Sequence, residues 1–329
     1  LRPMARALAH RGPDGVDVLV SPPVAVCHLH LRATPEEAGE RQPLADPAGR
    51  CLLALDGRLD NRSELTSRLE SRLQGLQNPS DARIALEAYL EWGEGMLRHL
   101  MGSFALLVAD CRHRRVLCAR DPVGNRALFY HLEPRRLVVA SEEAALLAHP
   151  DVSRRLDESR VARFFALEVP EDGSTFFASV RELLPGQALR VEAGSCRCWR
   201  FWDPDPSFSV RLGSDAEYAE RYRELLGQAV ACRLRTVGPP AVMMSGGIDS
   251  TSLAALAAGC SVDGPGGDMI RAVSWTFDRL SGCDERRHIR LMLESYPIRH
   301  VQVAGDDAWP LCAAGGWGAN PSTPEAVSY

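Results

Sequence analysis

Ser245-Gly246-Gly247-Ile248-Asp249-Ser250 decides how the second half of this chain folds. The apolar run 241–244 precedes it and the helix-like run 251–258 follows it. A strand that turns through two glycines into a helix forms a pyrophosphate cradle, because backbone N–H groups can approach phosphate oxygens and the helix N-terminus carries partial positive charge. The hydroxyls of Ser245 and Ser250 can donate to the same oxygens. Since no Gly-Lys-Ser/Thr occurs, this is not a Walker loop.

Asp249 adds a carboxylate to this loop. A carboxylate repels phosphate, so a bridging Mg²⁺ is the natural interpretation, and a helix N-terminal carboxylate is the alternative. The stretch resembles the PP-loop, Ser-Gly-Gly-x-Asp-Ser, of enzymes that cleave ATP between the α and β phosphates. The resemblance implies ATP and Mg²⁺ as cofactors, with Mg²⁺ on Asp249 and pyrophosphate held by Ser245, Gly246, Gly247 and Ser250.

Composition bounds the class of protein. With 329 residues, 45% of them hydrophobic, the chain is long enough for two packed domains. The net charge of −5 and the absence of a basic stripe do not favour nucleic-acid binding. We expect no membrane segment, because no apolar run approaches membrane-spanning length. We expect a cytoplasmic location, because the ten cysteines are scattered as free thiols would be in a reducing compartment. All 38 basic residues are arginine, so this stretch supplies no catalytic lysine.

The first half predicts a layered α+β domain, residues 1–204. A helix is expected to end near residue 9. Strands are expected at 16–20, 24–32, 51–56, 103–110, 116–120, 128–131, 137–141 and 188–191, and helices at 61–73, 80–92, 142–148 and 158–165. The two prolines of Phe201-Trp202-Asp203-Pro204-Asp205-Pro206 indicate a linker.

The second half, residues 205–329, predicts a βαβαβ unit that begins a parallel doubly wound sheet. Helices are expected at 214–235, 251–259 and 284–296, strands at 241–244, 271–277 and 300–303, and a Gly-rich connector at 264–267. Val273 and Trp275 lie on the middle strand, whose carboxyl end would border the nucleotide; ordinary core positions are the alternative.

Several polar residues have structural alternatives to a functional role. Ser214 with Glu217 predicts a helix capping box. Asp284 and Glu285 after Ser281 favour helix capping over metal or substrate contact. For Asp306 and Asp307, which follow a strand end, a pair of solvated loop residues is favoured over a ligand contact. On the strand at 24–32, a period of two places His28, His30 and Arg32 on one face, as a polar sheet face or former pocket wall.

With these residues in hand, the chain resembles the asparagine synthetase superfamily along nearly its whole length. That family joins an N-terminal-nucleophile glutaminase domain to an ATP-pyrophosphatase synthetase domain. The resemblance implies an α+β N-terminal-nucleophile-hydrolase-like sandwich followed by an α/β Rossmann-like synthetase domain, incomplete at its C-terminus. The front-domain motifs that carry it are Arg11-Gly12-Pro13-Asp14, Gln42-Pro43-Leu44, Asp56-Gly57-Arg58-Leu59-Asp60-Asn61, Ser80-Asp81, Gly102-Ser103-Phe104-Ala105, Arg120-Asp121-Pro122-Val123-Gly124, Ser141-Glu142 and Leu184-Pro185-Gly186.

Departures from the family pattern predict that the front domain does not hydrolyse glutamine. The family's nucleophile is a cysteine at the chain start, whereas this chain begins with Leu1 and has no cysteine before Cys27, so either residues are missing upstream or the nucleophile is absent. The family's Asn-Gly-Glu appears as Asp56-Gly57-Arg58, so the carboxylate that would pair with the α-ammonium of glutamine is replaced by a cation. Arg11 and Asp81 belong to the same degenerate pocket, in which Asp81 agrees with the family pattern.

A front domain without glutaminase activity implies that the attacking amine belongs to the substrate. The runs Trp275-Thr276-Phe277-Asp278, Cys283-Asp284-Glu285-Arg286 and Gly305-Asp306-Asp307-Ala308-Trp309-Pro310-Leu311 most resemble the lasso-peptide cyclase branch. An AMP-forming macrolactam synthetase is therefore expected. A glutamine-hydrolysing asparagine synthetase, a β-lactam synthetase and a non-catalytic scaffold of a biosynthetic complex are the alternatives.

The resemblance also implies partners. They are a peptide substrate or small amino-acid derivative, a leader-peptide-binding protein, a protease and a second copy in a homodimer. The family's later acidic loop, second Mg²⁺ ligand, general base and lysine are expected beyond Tyr329, so the catalytic residues are not assigned within this stretch.

Overall fold

The computed structural model describes residues 1–192, 195–262 and 269–307. Its contacts divide the chain into two compact units, one containing Leu1–Arg32 and Glu36–Pro206 and the other containing most of the residues from Ser207 onwards. The predicted Gly-rich connector at 264–267 lies outside the described residues.

The first unit contains three antiparallel sheets. A six-stranded sheet has the order β11-β10-β6-β5-β4-β3, a three-stranded sheet has the order β8-β7-β9, and β1 pairs with β2. The strands are β1 (Gly15–Ser21), β2 (Val24–His30), β3 (Leu44–Ala45), β4 (Cys51–Leu59), β5 (Gly102–Asp110), β6 (Arg115–Arg120), β7 (Phe129–Glu133), β8 (Arg136–Ala140), β9 (Arg181–Glu182), β10 (Gln187–Glu192) and β11 (Ser195–Arg200).

Helices lie on the outer faces of this unit. They are α1 (Arg2–Ala7), α2 (Arg62–Arg68), α3 (Glu70–Leu73), α4 (Asp81–Trp92), α5 (Glu143–Leu147) and α6 (Glu158–Phe165), with 3₁₀ turns at Ala9–Arg11, Pro35–Glu37 and Gly93–Arg98. The predicted single helix at 61–73 divides at Leu69.

Alternating side chains of β5 build two separate cores, as the period of two requires. Phe104, Leu106 and Val108 pack with α2–α4, whereas Ala105 and Leu107 pack with Tyr130 and Val139 of the three-stranded sheet. Val138 on the opposite face of β8 packs with residues of α1 and α5. The unit is therefore a helix–sheet–sheet–helix sandwich, which confirms the predicted layered α+β fold.

The second unit has a parallel sheet of order β12-β13-β14. Its strands are β12 (Ala241–Met243), β13 (Arg271–Thr276) and β14 (Arg299–Ala304), and its helices are α7 (Asp215–Arg233), α8 (Ile248–Val262) and α9 (Arg286–Ser295), with a 3₁₀ turn at Ser281–Cys283. Buried Met244, Ala254, Ala272 and Ile289 join the sheet to α8 and α9. The βαβαβ order agrees with the sequence pattern.

Helix α7 begins almost as expected. The Ser214 hydroxyl accepts a hydrogen bond from the Glu217 backbone N–H, but the Glu217 carboxylate accepts from the N–H of Gly213 rather than from that of Ser214. The predicted capping box is therefore correct in its first half only.

Candidate functional site

The predicted PP-loop connects β12 to α8 at the carboxyl end of the strand. The N–H of buried Met244 donates to the carbonyl oxygen of Val273 at 2.9 Å, which fixes the exit of the loop beside β13. Helix α8 begins at Ile248, earlier than predicted, so that Asp249 and Ser250 lie in its first turn. Ligands of open parallel sheets gather at this edge.

The two loop serines shape the turn. The Oγ of Ser250 accepts a hydrogen bond from the Ser245 N–H at 3.1 Å and lies 3.0 Å from the Ser245 Oγ. The Ser245 Oγ in turn accepts from the N–H of Gly247 at 3.2 Å. Both hydroxyls therefore line one small turn, and their predicted contact with phosphate stays a prediction.

Gly246 brings helix α9 against the loop. A β-carbon at position 246 would lie 2.8 Å from the Cβ of His288 and 2.9 Å from the Cβ of Glu285, so only glycine fits without a shift of the helix. The Gly246 N–H donates to the Glu285 carboxylate (Oε2) at 2.9 Å. A carboxylate thus lies on a backbone N–H that the motif assigns to phosphate.

The prediction that Asp284 and Glu285 cap helix α9 is wrong. The helix begins at Arg286, and no side chain caps its N-terminus. Asp284 instead accepts from the Phe277 N–H at 3.1 Å and from the Arg286 guanidinium at 2.8 Å. The Arg286 hydrogen bond lowers the pKa of the Asp284 carboxyl. A 3₁₀ turn at Ser281–Cys283 separates Ser281 from the helix start, which removes its capping role.

Asp306 is not the solvated loop residue that the sequence suggested. It is 9% exposed, and its carboxylate accepts from the N–H groups of Asp278 at 2.8 Å and Arg279 at 2.7 Å. These backbone hydrogen bonds lower the pKa of Asp306. Asp307 is exposed as expected and pairs with Arg279. The run Trp309-Pro310-Leu311 lies outside the described residues.

Asp284 and Asp306 together hold the segment that follows β13. Sequence reasoning missed this arrangement, although one indication was available: both carboxylates follow strands of a parallel sheet, and such strand ends converge at one edge. The PP-loop, the β13–α9 segment and the β14 end all lie at the carboxyl edge of the same three strands.

Val273 and Trp275 lie on one face of β13. Ala272, Ser274 and Thr276 of the opposite face are buried, whereas Val273 is half-buried and Trp275 is 43% exposed. Trp275 pairs in register with Val303 of β14. Their predicted place at the nucleotide stays a prediction.

In the first unit, Arg11 and Asp56 of the predicted degenerate pocket meet directly. The Arg11 guanidinium donates to Asp56 at 2.8 Å and to Glu142 at 3.2 Å. Burial opposes the charge of Arg11, but Asp56 and Glu142 outweigh it and raise the pKa of Arg11. Arg126 lies 3.6 Å from the Asp56 carboxylate. The pocket wall is thus an internally paired charge network.

Gly57, Arg58 and Asp81 lie farther along β4 and at the start of α4. Gly57 pairs in register with Phe104 of β5. The Arg58 Nε lies 3.7 Å from the Asp60 carboxylate. Buried Asp81 accepts a 2.9 Å hydrogen bond from the Leu59 N–H and another from Arg62. Both charged groups therefore have partners within the fold.

His28 and His30 share one face of β2, as predicted, with ring centroids 4.9 Å apart. Arg32 lies beyond the strand, which ends at His30, and its N–H donates to Asp14. Burial first, and then His30, lower the pKa of His28 to about 4. The His30 ring contacts Asp17 at 2.9 Å.

Two family models match the chain. A glutamine amidotransferase domain model covers residues 1–202, and an asparagine synthase model covers residues 221–312. The chain belongs to the asparagine synthetase superfamily. The two matches, with the layered sheets of the first unit and the parallel sheet of the second, confirm an N-terminal-nucleophile-hydrolase-like domain followed by part of a synthetase domain.

Curated relatives are longer than this chain. Asparagine synthetase [glutamine-hydrolyzing] 3 of Bacillus subtilis is 31% identical over 259 residues, 78% of this chain and 42% of the relative. A protein named amidase chry2 from Gibberella zeae is 31% identical over 258 residues, 76% of this chain and 37% of that protein. The chain therefore spans about two fifths of the relatives that it matches.

A solved structure of B. subtilis glutamine phosphoribosylpyrophosphate amidotransferase, complexed with ADP and GMP, aligns with a TM-score of 0.44 at 18% identity. The alignment covers 92% of this chain and 77% of the amidotransferase chain. Across the described ranges, none of the helices combines the length and apolar character needed to cross a membrane.

Proposed function

We propose that this protein is an ATP-dependent, AMP-forming amide synthetase that adenylates a substrate carboxylate at the PP-loop. The observation that carries the proposal is the loop itself. Residues 245–250 join β12 to α8 at the carboxyl edge of a parallel sheet, and the hydroxyls of Ser245 and Ser250 line the turn. Membership of a superfamily of carbon–nitrogen ligases supports this chemistry.

Asp249 fits a Mg²⁺ ligand. Its carboxylate is exposed in the first turn of α8, and among the described residues it takes part in no hydrogen bond or ion pair. A hard carboxylate oxygen is the ligand type that Mg²⁺ prefers when it also binds phosphates. When bound, Mg²⁺ would neutralise phosphate charge, while the loop backbone and Ser245 and Ser250 hold the pyrophosphate.

In the proposed reaction, a substrate carboxylate oxygen attacks the α-phosphorus of ATP. The bond from this phosphorus to the α–β bridging oxygen breaks and pyrophosphate leaves. An amine nitrogen then attacks the acyl carbon, AMP leaves with the former carboxylate oxygen, and the amine loses a proton to a base. The protein's contribution at this loop is positioning and charge stabilisation of the leaving pyrophosphate.

The amine is proposed to come from the substrate itself, as in macrolactam formation on a lasso peptide, where a side-chain carboxylate meets the peptide's own amine. Arg58 supports this, since a cation stands where the superfamily pattern has the carboxylate for the α-ammonium of glutamine. The proposed partners are a peptide, a leader-peptide-binding protein and a protease.

Carboxylate-dependent exchange of labelled pyrophosphate into ATP tests adenylation. Full-length protein with candidate peptides should catalyse the exchange, and Ser250→Ala should lower its rate, by about tenfold to a hundredfold for one lost hydrogen bond to a charged group. Thr251→Ala, which removes the adjacent hydroxyl that donates to the carbonyl oxygens of Gly247 and Ile248, is the matched control. No exchange with any peptide or amino-acid substrate would favour a scaffold over an enzyme.

Glutamate release from glutamine tests the source of the amine. The proposal expects no release above background from full-length protein. Robust release would instead favour a glutamine-hydrolysing asparagine synthetase. Exchange that requires a small amino-acid derivative rather than a peptide would favour a β-lactam synthetase.

A further inference from the structure

The Glu285 carboxylate occupies a position at the PP-loop that a polyphosphate would need. Its Oε2 accepts a 2.9 Å hydrogen bond from the N–H of Gly246. Backbone N–H groups at a helix N-terminus are the donors that bind phosphate oxygens. One carboxylate oxygen and one phosphate oxygen cannot both take this N–H, and their like charges repel.

The position of Glu285 is fixed by the fold rather than by a long flexible reach. Position 285 immediately precedes α9, and α9 packs against the loop so closely that a β-carbon on Gly246 would lie 2.9 Å from the Cβ of Glu285. The buried Ile289 anchors the same helix in the core of the unit. Asp284, the residue before Glu285, is itself held by its contacts with Phe277 and Arg286.

We propose that Glu285 is a latch that occupies the phosphate-binding N–H of Gly246 in the nucleotide-free protein and leaves it when ATP binds. The proposal rests on the proposed ATP site and adds a regulating residue to it. A nucleotide that must displace the latch binds more weakly than one that meets a free N–H, by the free energy of the displaced contact. Glu285 therefore sets the affinity for ATP and favours release of pyrophosphate.

The direction of the expected effect separates a latch from a supporting residue. If Glu285 merely orders the loop for its ligand, its removal weakens nucleotide binding. If Glu285 competes with phosphate, its removal strengthens binding. Glu285 is exposed, so its loss should not unfold the unit.

The test measures the dissociation constants of ATP and of pyrophosphate, each with Mg²⁺, on full-length protein by calorimetry. Glu285→Ala should bind both ligands about 1.5- to fivefold more tightly, the range expected for one solvent-exposed charged contact. Glu285→Gln keeps an acceptor oxygen but loses the charge, and should lie between wild type and Glu285→Ala. Glu294→Gln, an exposed residue near the end of the same helix, is the matched control and should leave both constants unchanged.

A second variant protects the test against loss of fold. Glu285→Met keeps the length of the side chain but has neither a charge nor an oxygen acceptor, so it should also tighten binding. Unchanged or weaker ATP binding in Glu285→Ala, with ATP binding retained in wild type, would overturn the latch and leave the proposed function standing. Wild-type protein that binds neither ATP nor pyrophosphate would overturn both.

Discussion

The Phe277 ring lies directly over Gly305, where a β-carbon would meet the ring Cε1 at 2.5 Å and Cζ at 2.8 Å. The ring cannot move away freely, because the Phe277 backbone is held on both sides. Its N–H donates to Asp284, and its carbonyl accepts from Arg286 at 2.9 Å. Gly305 is therefore the residue that lets the end of β14 approach the segment after β13.

Gly305→Ala should destabilise the protein by about 1–3 kcal/mol, because an added methyl group overpacks this contact. Urea unfolding of the full-length protein measures the change. Gly282→Ala is the control, since a β-carbon there meets no atom within 4 Å. The double variant Gly305→Ala/Phe277→Leu should recover part of the loss, as the smaller side chain leaves room. Equal destabilisation by Gly305→Ala and Gly282→Ala would contradict the contact.

Asp306→Asn should loosen the segment after β13. The amide can offer only one oxygen to the two N–H groups, of Asp278 and Arg279, that the carboxylate accepts. We expect the midpoint of thermal unfolding to fall by about 2–4 °C. Asp307→Asn alters the neighbouring carboxylate, whose side chain is 92% exposed, and should change the midpoint by less. A larger fall in Asp307→Asn would mean that Asp306 does not hold the segment.

At this edge of the sheet, contacts between residues close in sequence could be predicted, whereas contacts between distant residues could not. The PP-loop is local: strand, glycines, serines and helix lie within about twenty consecutive residues, so its strand–loop–helix form was predicted correctly. The roles of Asp284, Glu285 and Asp306 depend on partners elsewhere in the chain: Gly246 for Glu285, and Asp278 and Arg279 for Asp306. A sequence pattern gives a carboxylate near a helix start a capping role by default, and only the sheet order reveals the competing partners.

The first unit illustrates the same limit. The short apolar run at 103–110 predicted β5, but the long helix expected at 61–73 divides at Leu69. The edge strand β11 was missed because five of its six residues, Ser195–Arg200, are exposed and so carry no inward-facing apolar pattern. The sequence showed that Arg58 departs from a family motif. It could not predict that the Arg58 side chain lies 3.7 Å from the Asp60 carboxylate.

His28 should make stability depend on pH. Burial and His30 lower its folded-state pKa to about 4, from the ordinary histidine value of 6.5. Between these values the unfolded chain binds the proton more tightly than the folded protein does, so stability falls as pH falls from about 6.5 to about 4. The loss should be on the order of 3 kcal/mol, at 1.36 kcal/mol per unit.

His28→Gln should lessen the fall in the free energy of unfolding between pH 7 and pH 4, which urea unfolding measures. His288→Gln, which alters an exposed histidine, should show the same pH dependence of stability as the wild type. The His28 ring resonances should titrate well below those of an exposed histidine by NMR. Titration of His28 near the ordinary histidine pKa of 6.5 would contradict this prediction.

Asp249→Asn separates a metal ligand from a helix-capping charge. Both roles put a carboxylate in the first turn of α8, where an acidic residue stabilises the helix by about 0.3–1 kcal/mol. Asp215→Asn makes the same change in the first turn of α7, away from any glycine loop, and so measures the helix effect alone. Both variants should lower the free energy of unfolding by similar amounts.

Only Asp249→Asn should reduce the gain in ATP affinity that Mg²⁺ provides, by about tenfold for one lost charged oxygen ligand. Calorimetric titrations of ATP with and without Mg²⁺ give this gain directly, and an unchanged gain in Asp249→Asn would leave Asp249 a helix-terminal charge and nothing more.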